Sequence, residues 1–145
     1  MFWLGSLVAT SELSAAEAAA ALARLQERDL IEERPTSSVA GEREFAYTHA
    51  LIREVAYTTL PKASRSANHL RFARWIEQTA QDTDEFLTVL AHHYEHAWRY
   101  KFETGEKAPD LARQAIAVMH RAAARATTLR TFPEARRLCD RALAI

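Results

Sequence analysis

Leu87, Leu90, Ala91, Tyr94, Ala97 and Trp98 recur at steps of three and four residues, a spacing that suits a helix buried along one face and not a strand. Asp82, Asp84 and Glu85 precede the stripe, and acids there suit the positive end of a helix dipole. A helix is therefore expected from these acids to about Tyr100. The chain holds only three glycines and four prolines, while alanine, leucine, arginine and glutamate are abundant, so turn formers are scarce and helix formers plentiful. The expected fold is mainly α.

The same reading extends to both sides. Ala67, Leu70, Ala73, Ile76 and Ala80 predict a helix from about Lys62 to Thr79, with Arg65, Arg71 and Arg74 mostly outside. Leu111, Ala115, Val118, Met119, Ala122, Ala126 and Leu129 predict another. Pro133 opens a last helix with Ala135, Leu138, Ala142 and Leu143 turned inward. These two form a helical hairpin, in which small residues at Ala122, Ala123, Ala126, Ala135 and Ala142 allow close approach. The pair resembles a tetratricopeptide unit, with Arg130 where the turn glycine is usual and Phe132 where the turn aromatic sits. One such pair leaves an apolar face uncovered.

Nearer the start, Phe2, Trp3, Leu4, Leu7 and Val8 read as a short apolar helix. Ser14 and Glu17 form a capping box for a second helix to about Arg28, with Ala18, Leu22 and Leu25 inward. The period then changes. Leu30-Ile31-Glu32-Glu33 and Glu44-Phe45-Ala46-Tyr47 read as two strands joined by a tip from Pro35 to Glu42. Thr48 is placed to cap the next helix, His49 to about Leu60, whose expected buried stripe is Ile52, Val55 and Ala56, and Pro61 stops it. Two helices and a two-stranded hairpin fit a truncated winged helix lacking its first helix. The expected units are a winged-helix-like subdomain at 1–60, a connecting helical pair at 61–101 and a tetratricopeptide-like hairpin at 109–145.

Composition removes several classes of function. Nineteen basic residues balance nineteen acidic ones, so bulk charge does not draw the chain to nucleic acid or to an anionic membrane. The apolar start is too short to span a bilayer and lacks a basic leader. Cys139 is the single cysteine, so no internal disulfide forms and a cytoplasmic setting is expected.

The segment Gly41-Glu42-Arg43-Glu44-Phe45-Ala46-Tyr47-Thr48-His49-Ala50-Leu51-Ile52-Arg53-Glu54-Val55-Ala56-Tyr57 resembles the end of the winged-helix subdomain in the signal-transducing ATPases with numerous domains. The resemblance extends back through Leu22 to Ile31 and forward through Leu60-Pro61-Lys62-Ala63, His69, Ala73 to Glu77 and Leu90 to Tyr94. It is nearest to the bacterial branch that joins such ATPases to class III adenylate or guanylate cyclases or to DNA-binding output domains. In that family a histidine at the strand-to-helix junction reaches the phosphates of bound ADP and helps hold the inactive state. His49 matches this position. A helix N-terminus concentrates positive potential, and a histidine there is placed to donate an N–H to a phosphate oxygen.

The sequence has no glycine-rich phosphate loop ending in Lys-Ser/Thr and no acidic strand end to hold magnesium. The resemblance therefore implies a piece of a larger architecture: a truncated product, a start placed too late at Met1, or an excised segment. ATP or ADP belongs to the parent architecture, with the ATPase core supplied in cis or in trans and a protein effector gathered on the helical repeats. The expected function is a non-catalytic regulatory and interaction module. The alternatives are a DNA-binding winged-helix regulator and a fragment without independent activity.

Other constellations lead to plainer expectations. His92 and His96, at i and i+4, share a helical face, and His93 lies beside them, but a third ligand is missing and the face lies opposite the apolar stripe. Solvated histidines and no metal are expected. Residues 14 to 28 offer Arg24 and Arg28 against Glu17 and Glu27, a poor phosphate-binding face. A basic stretch of Lys62, Arg65, Arg71 and Arg74, and seven arginines against three acids after residue 109, read as solvated helix faces, so DNA is not an expected partner. Cys139 is expected on the inner face of the last helix as a small core residue, since no base is placed beside it. No catalytic set is found.

Overall fold

The structure is a computed structural model that describes residues 1–145. In chain order it contains β1 (Phe2–Trp3), α1 (Leu4–Thr10), α2 (Ala15–Gln26), β2 (Ile31–Glu33), β3 (Glu44–Tyr47), α3 (Ala50–Thr58), α4 (Lys62–Thr79), a 3-10 turn (Thr83–Phe86), α5 (Leu87–Glu103), α6 (Pro109–Thr128) and α7 (Phe132–Leu143). The protein is mainly α-helical with one small antiparallel sheet. No helix is long and apolar enough to cross a membrane.

The sheet has three strands in the order β1-β3-β2, one more than the expected hairpin. Phe2 pairs with Phe45 and Trp3 with Glu44, while Ile31, Glu32 and Glu33 pair with Tyr47, Ala46 and Phe45. The Phe2 and Phe45 rings stack at 5.7 Å, and cross-strand aromatic pairs of this kind hold register. Phe2 and Trp3 therefore belong to a strand and not to the first helix. Beneath the sheet, Leu22, Ile31 and Phe45 form a small core. The Ser14–Glu17 capping box is present: Glu17 N donates to Ser14 Oγ, and Ser14 N donates to the Glu17 carboxylate.

The larger core runs through α4, α5, α6 and α7, each packed on the next. Trp3 and Val39, from the β-containing region, join this core, so the sheet is fastened to α4 through Trp3 against Phe72 and Trp75. The predicted stripes of α5, α6 and α7 are buried, except that Leu129 and Leu143 lie exposed and Trp98 is half-buried. Ser66 Oγ donates to Ala97 O at 2.7 Å, where α4 and α5 approach closely.

Three helix ends share one geometry. Asp29, Gly105 and Arg130 have φ of 54°, 82° and 58°, and in each case the next residue donates its N–H five residues back, from Leu30 to Leu25 O, Glu106 to Lys101 O and Thr131 to Ala126 O. This is the Schellman ending, in which a left-handed residue turns the chain out of the helix. Arg130 thus holds a left-handed conformation that glycine adopts more readily.

α3 departs from its sequence pattern. It has no buried residue, Leu51 and Val55 are 72% and 63% exposed, and the expected Ile52, Val55 and Ala56 stripe does not form a core. An amphipathic spacing specifies a face that favours cover, but here Ile52 is only half-buried, Val55 is exposed and Ala56 lines an open cleft. Its N-cap is His49, and Thr48 instead donates its hydroxyl to Asp29 O at 2.7 Å. The C-terminal end is held by Arg65, which donates to Thr58 O and Leu60 O.

Candidate functional site

His49 stands at the junction between β3 and α3 with extended backbone, φ −133° and ψ 134°, and its side chain makes no capping hydrogen bond. It is exposed. It is the N-cap of α3, the end of the helix at which the first amides lack acceptors within the helix. Such an arrangement suits an oxygen anion.

About one helix length away along α3, a second group of chemistry-bearing side chains converges. His69 from α4 and His92 and His93 from α5 place one ring nitrogen each within 4.8 Å of one another. Nδ1 of His69 lies 3.0 Å from Nδ1 of His93. On its other side, Nε2 of His69 lies 2.8 Å from the Tyr57 hydroxyl of α3, which lies 2.9 Å from the Tyr100 hydroxyl. His96 packs against His92 with ring centroids 4.0 Å apart, and its Nδ1–H donates to His92 O. Phe72 stacks on His93 at 4.1 Å.

Three helices position these groups. On α5, His92, His93, His96 and Tyr100 lie along the edge turned towards α4 and α3, because α5 is packed by α4 on one side and α6 on the other. The face opposite the apolar stripe is therefore not simply solvated, in contrast to the sequence expectation. The third histidine comes from α4, twenty-three residues before His92. It follows Ser66 by three residues on the side of α4 that packs against α5. Nothing in the spacing of the α5 histidines points to it.

Burial is the main cause of depressed basicity throughout the cluster. It holds His69 down to about 3, His93 to about 2 and His92 to about 4, with neighbouring imidazoles and the Arg53 guanidinium adding to the effect. His96 is lowered too, although its hydrogen bond to His92 opposes the shift. Burial also raises Tyr57, with Tyr100 beside it. All four imidazoles are thus neutral at pH 7, the form that offers a lone pair to a proton or a metal. The hydrogen-bond chain from Tyr100 through Tyr57 and His69 to His93 is self-consistent in either direction, since each member both donates and accepts. A cleft of about 330 Å³ opens onto His69, His92 and His93, with Arg53, Tyr57 and Phe2 on its other walls.

The remaining sequence candidates stay apart. Arg24 and Arg28 are exposed on and just beyond α2 and do not line the histidine cleft. Cys139 is exposed on α7, not inward as its spacing suggests, because the buried positions of that helix are Ala135, Leu138 and Ala142. Glu95 is buried and bound by Arg99 of its own helix and by Arg141 of α7. Burial raises this carboxyl, but the two guanidiniums win and hold it below its ordinary value. Its partners make it a clamp between α5 and α7.

Compared with protein families, curated proteins and solved structures, the chain matches none of them.

Proposed function

We propose that this chain is a non-catalytic regulatory and protein-interaction module of the kind found in signal-transducing ATPases with numerous domains. A winged-helix-like unit follows the nucleotide state of an ATPase core, and helical hairpins of tetratricopeptide type gather an effector. The single observation carrying this reading is the position of His49: exposed, at a strand-to-helix junction, at the N-cap of α3 and with its side chain uncommitted to a capping hydrogen bond. A group so placed contacts a phosphate only when another polypeptide surface brings one there.

Two features support the reading. Two helices between β1 and β2, with β3 central in the sheet, are the connectivity of a winged helix without its first helix. Leu51 and Val55, exposed on the helix that begins at His49, give that helix an apolar face of the sort an ATPase core would cover. Rotation of the winged-helix unit against such a core would then move His49 towards or away from the nucleotide, and the rigid stack of α4 to α7 would carry the movement onward.

The test is genetic. Translating the DNA upstream of Met1 in frame, together with the adjacent genes, is expected to reveal a phosphate loop of the form Gly-x-x-x-x-Gly-Lys-Ser/Thr. Its absence from both places would remove the ATPase core on which the reading depends.

A further inference from the structure

We propose that His69, His92 and His93 form a binding site for a single borderline transition-metal ion, with Zn²⁺ the expected occupant, at the floor of the cleft between α3, α4 and α5. The three ring nitrogens converge within 4.8 Å, and the His69 and His93 Nδ1 atoms lie 3.0 Å apart. Two nitrogens bound tetrahedrally at about 2.05 Å from zinc stand roughly 3.3 Å from each other, so this pair already spans one edge of the coordination shell. His92, at the outer rim, closes the longer edges by a side-chain rotation, which its position at the cleft mouth permits.

The donor set decides the class of ion. Three imidazoles and no carboxylate suit zinc, copper or nickel and do not suit magnesium or calcium, which take oxygen ligands. Glu95 is the nearest acid on α5, and it is committed to Arg99 and Arg141. The fourth position faces the cleft, where Arg53 stands, so water or a small anion completes the shell.

Tyr57 supplies the outer support that metal-binding histidines commonly have. With the His69 Nε2–H donated to the Tyr57 oxygen, the Nδ1 lone pair of His69 is fixed towards the ion. The one proton between the two Nδ1 atoms must leave that position on binding. When it sits on His93, that ring passes it from Nδ1 to Nε2 and remains neutral, so two Nδ1 lone pairs become available with no net change in proton count. Tyr57 lies on α3, and the filled site therefore tightens the attachment of the helix that starts at His49.

Tag-free full-length protein, stripped with a chelator and dialysed against Zn²⁺, is expected to retain one zinc per chain. Co²⁺ in place of zinc is expected to give the visible d–d absorption of a four-coordinate site, displaced by added Zn²⁺. His92→Ala, at the rim where the fold does not depend on it, and His69→Ala are each expected to weaken retention about tenfold or more, and Tyr57→Phe about tenfold. His120→Ala, on the exposed side of α6, is expected to leave it unchanged. Folded wild-type protein that retains no metal, or retention unaltered in His92→Ala, would overturn the site.

Discussion

The Tyr57 hydroxyl lies 2.8 Å from Nε2 of His69, and this contact joins α3, a helix with no buried residue, to the packed body of the protein. The Tyr57 hydroxyl also meets that of Tyr100 on α5, and the Arg65 side chain, over the Tyr57 ring and donating to Thr58 O at the end of α3, is a further tie. A helix held by a few part-exposed polar contacts opens at low free energy. Native-state hydrogen exchange should therefore show α3 as the least protected helix and α6 among the most protected. Tyr57→Phe should lower the opening free energy of α3 by about 1 kcal/mol without changing α6. Protection of α3 equal to that of α6 would show that its apolar face is covered in solution.

Glu44 provides the pH test. It is buried in β3 and accepts hydrogen bonds from Trp3 Nε1, Ser38 N and Ser38 Oγ. Burial pushes this carboxyl up, but the Ser38 and Trp3 donors together outweigh it and hold it below its ordinary value. A depressed folded pKa means that the stabilisation is complete above the unfolded value, about 4.3, and is lost as pH falls through the folded one. Glu44→Gln should cost about 1–3 kcal/mol at pH 7. Denaturant melts from pH 7 to pH 3 should show that difference shrinking below about pH 4.3; a constant difference would assign the effect to packing alone.

Arg130 adopts φ of 58° at the end of α6, a conformation that favours a residue without Cβ. Arg130→Gly should raise stability by about 1 kcal/mol, seen as a higher denaturation midpoint at unchanged slope. The converse holds at Gly105, where φ is 82° and no atom lies within 4 Å of an added Cβ. Gly105→Ala should lower stability by about 1 kcal/mol through backbone strain and not through collision.

What the sequence discloses follows from the range of each interaction. The stripes of α5 and α6 repeat over several turns, so Leu90, Tyr94, Val118 and Met119 declare their own helix and its buried face. β1 has only two residues and exists because Phe2 and Trp3 find Phe45 and Glu44 more than forty positions later; no local period announces it. Val55 shows the reverse limit. Its spacing specifies an apolar face correctly, yet whether that face is covered depends on what stands opposite, and Val55 itself lies exposed. The histidine cluster was half legible. His92, His93 and His96 lie together in the sequence, whereas His69 arrives from α4 through helix packing, and the second packed flank of α5 takes the cluster out of full solvent. His49 could be placed from the flanking pattern, although its role as N-cap, in place of Thr48, depended on Thr48 turning to Asp29.

The function proposed for this chain is a phosphate-contacting junction at His49 whose nucleotide chemistry an ATPase core would supply. Isothermal titration of the full chain with ADP and with ATP, paired with a phosphate-release assay, tests it most directly. The account predicts no micromolar binding and no turnover from the chain alone. Micromolar binding accompanied by ATP hydrolysis would contradict it.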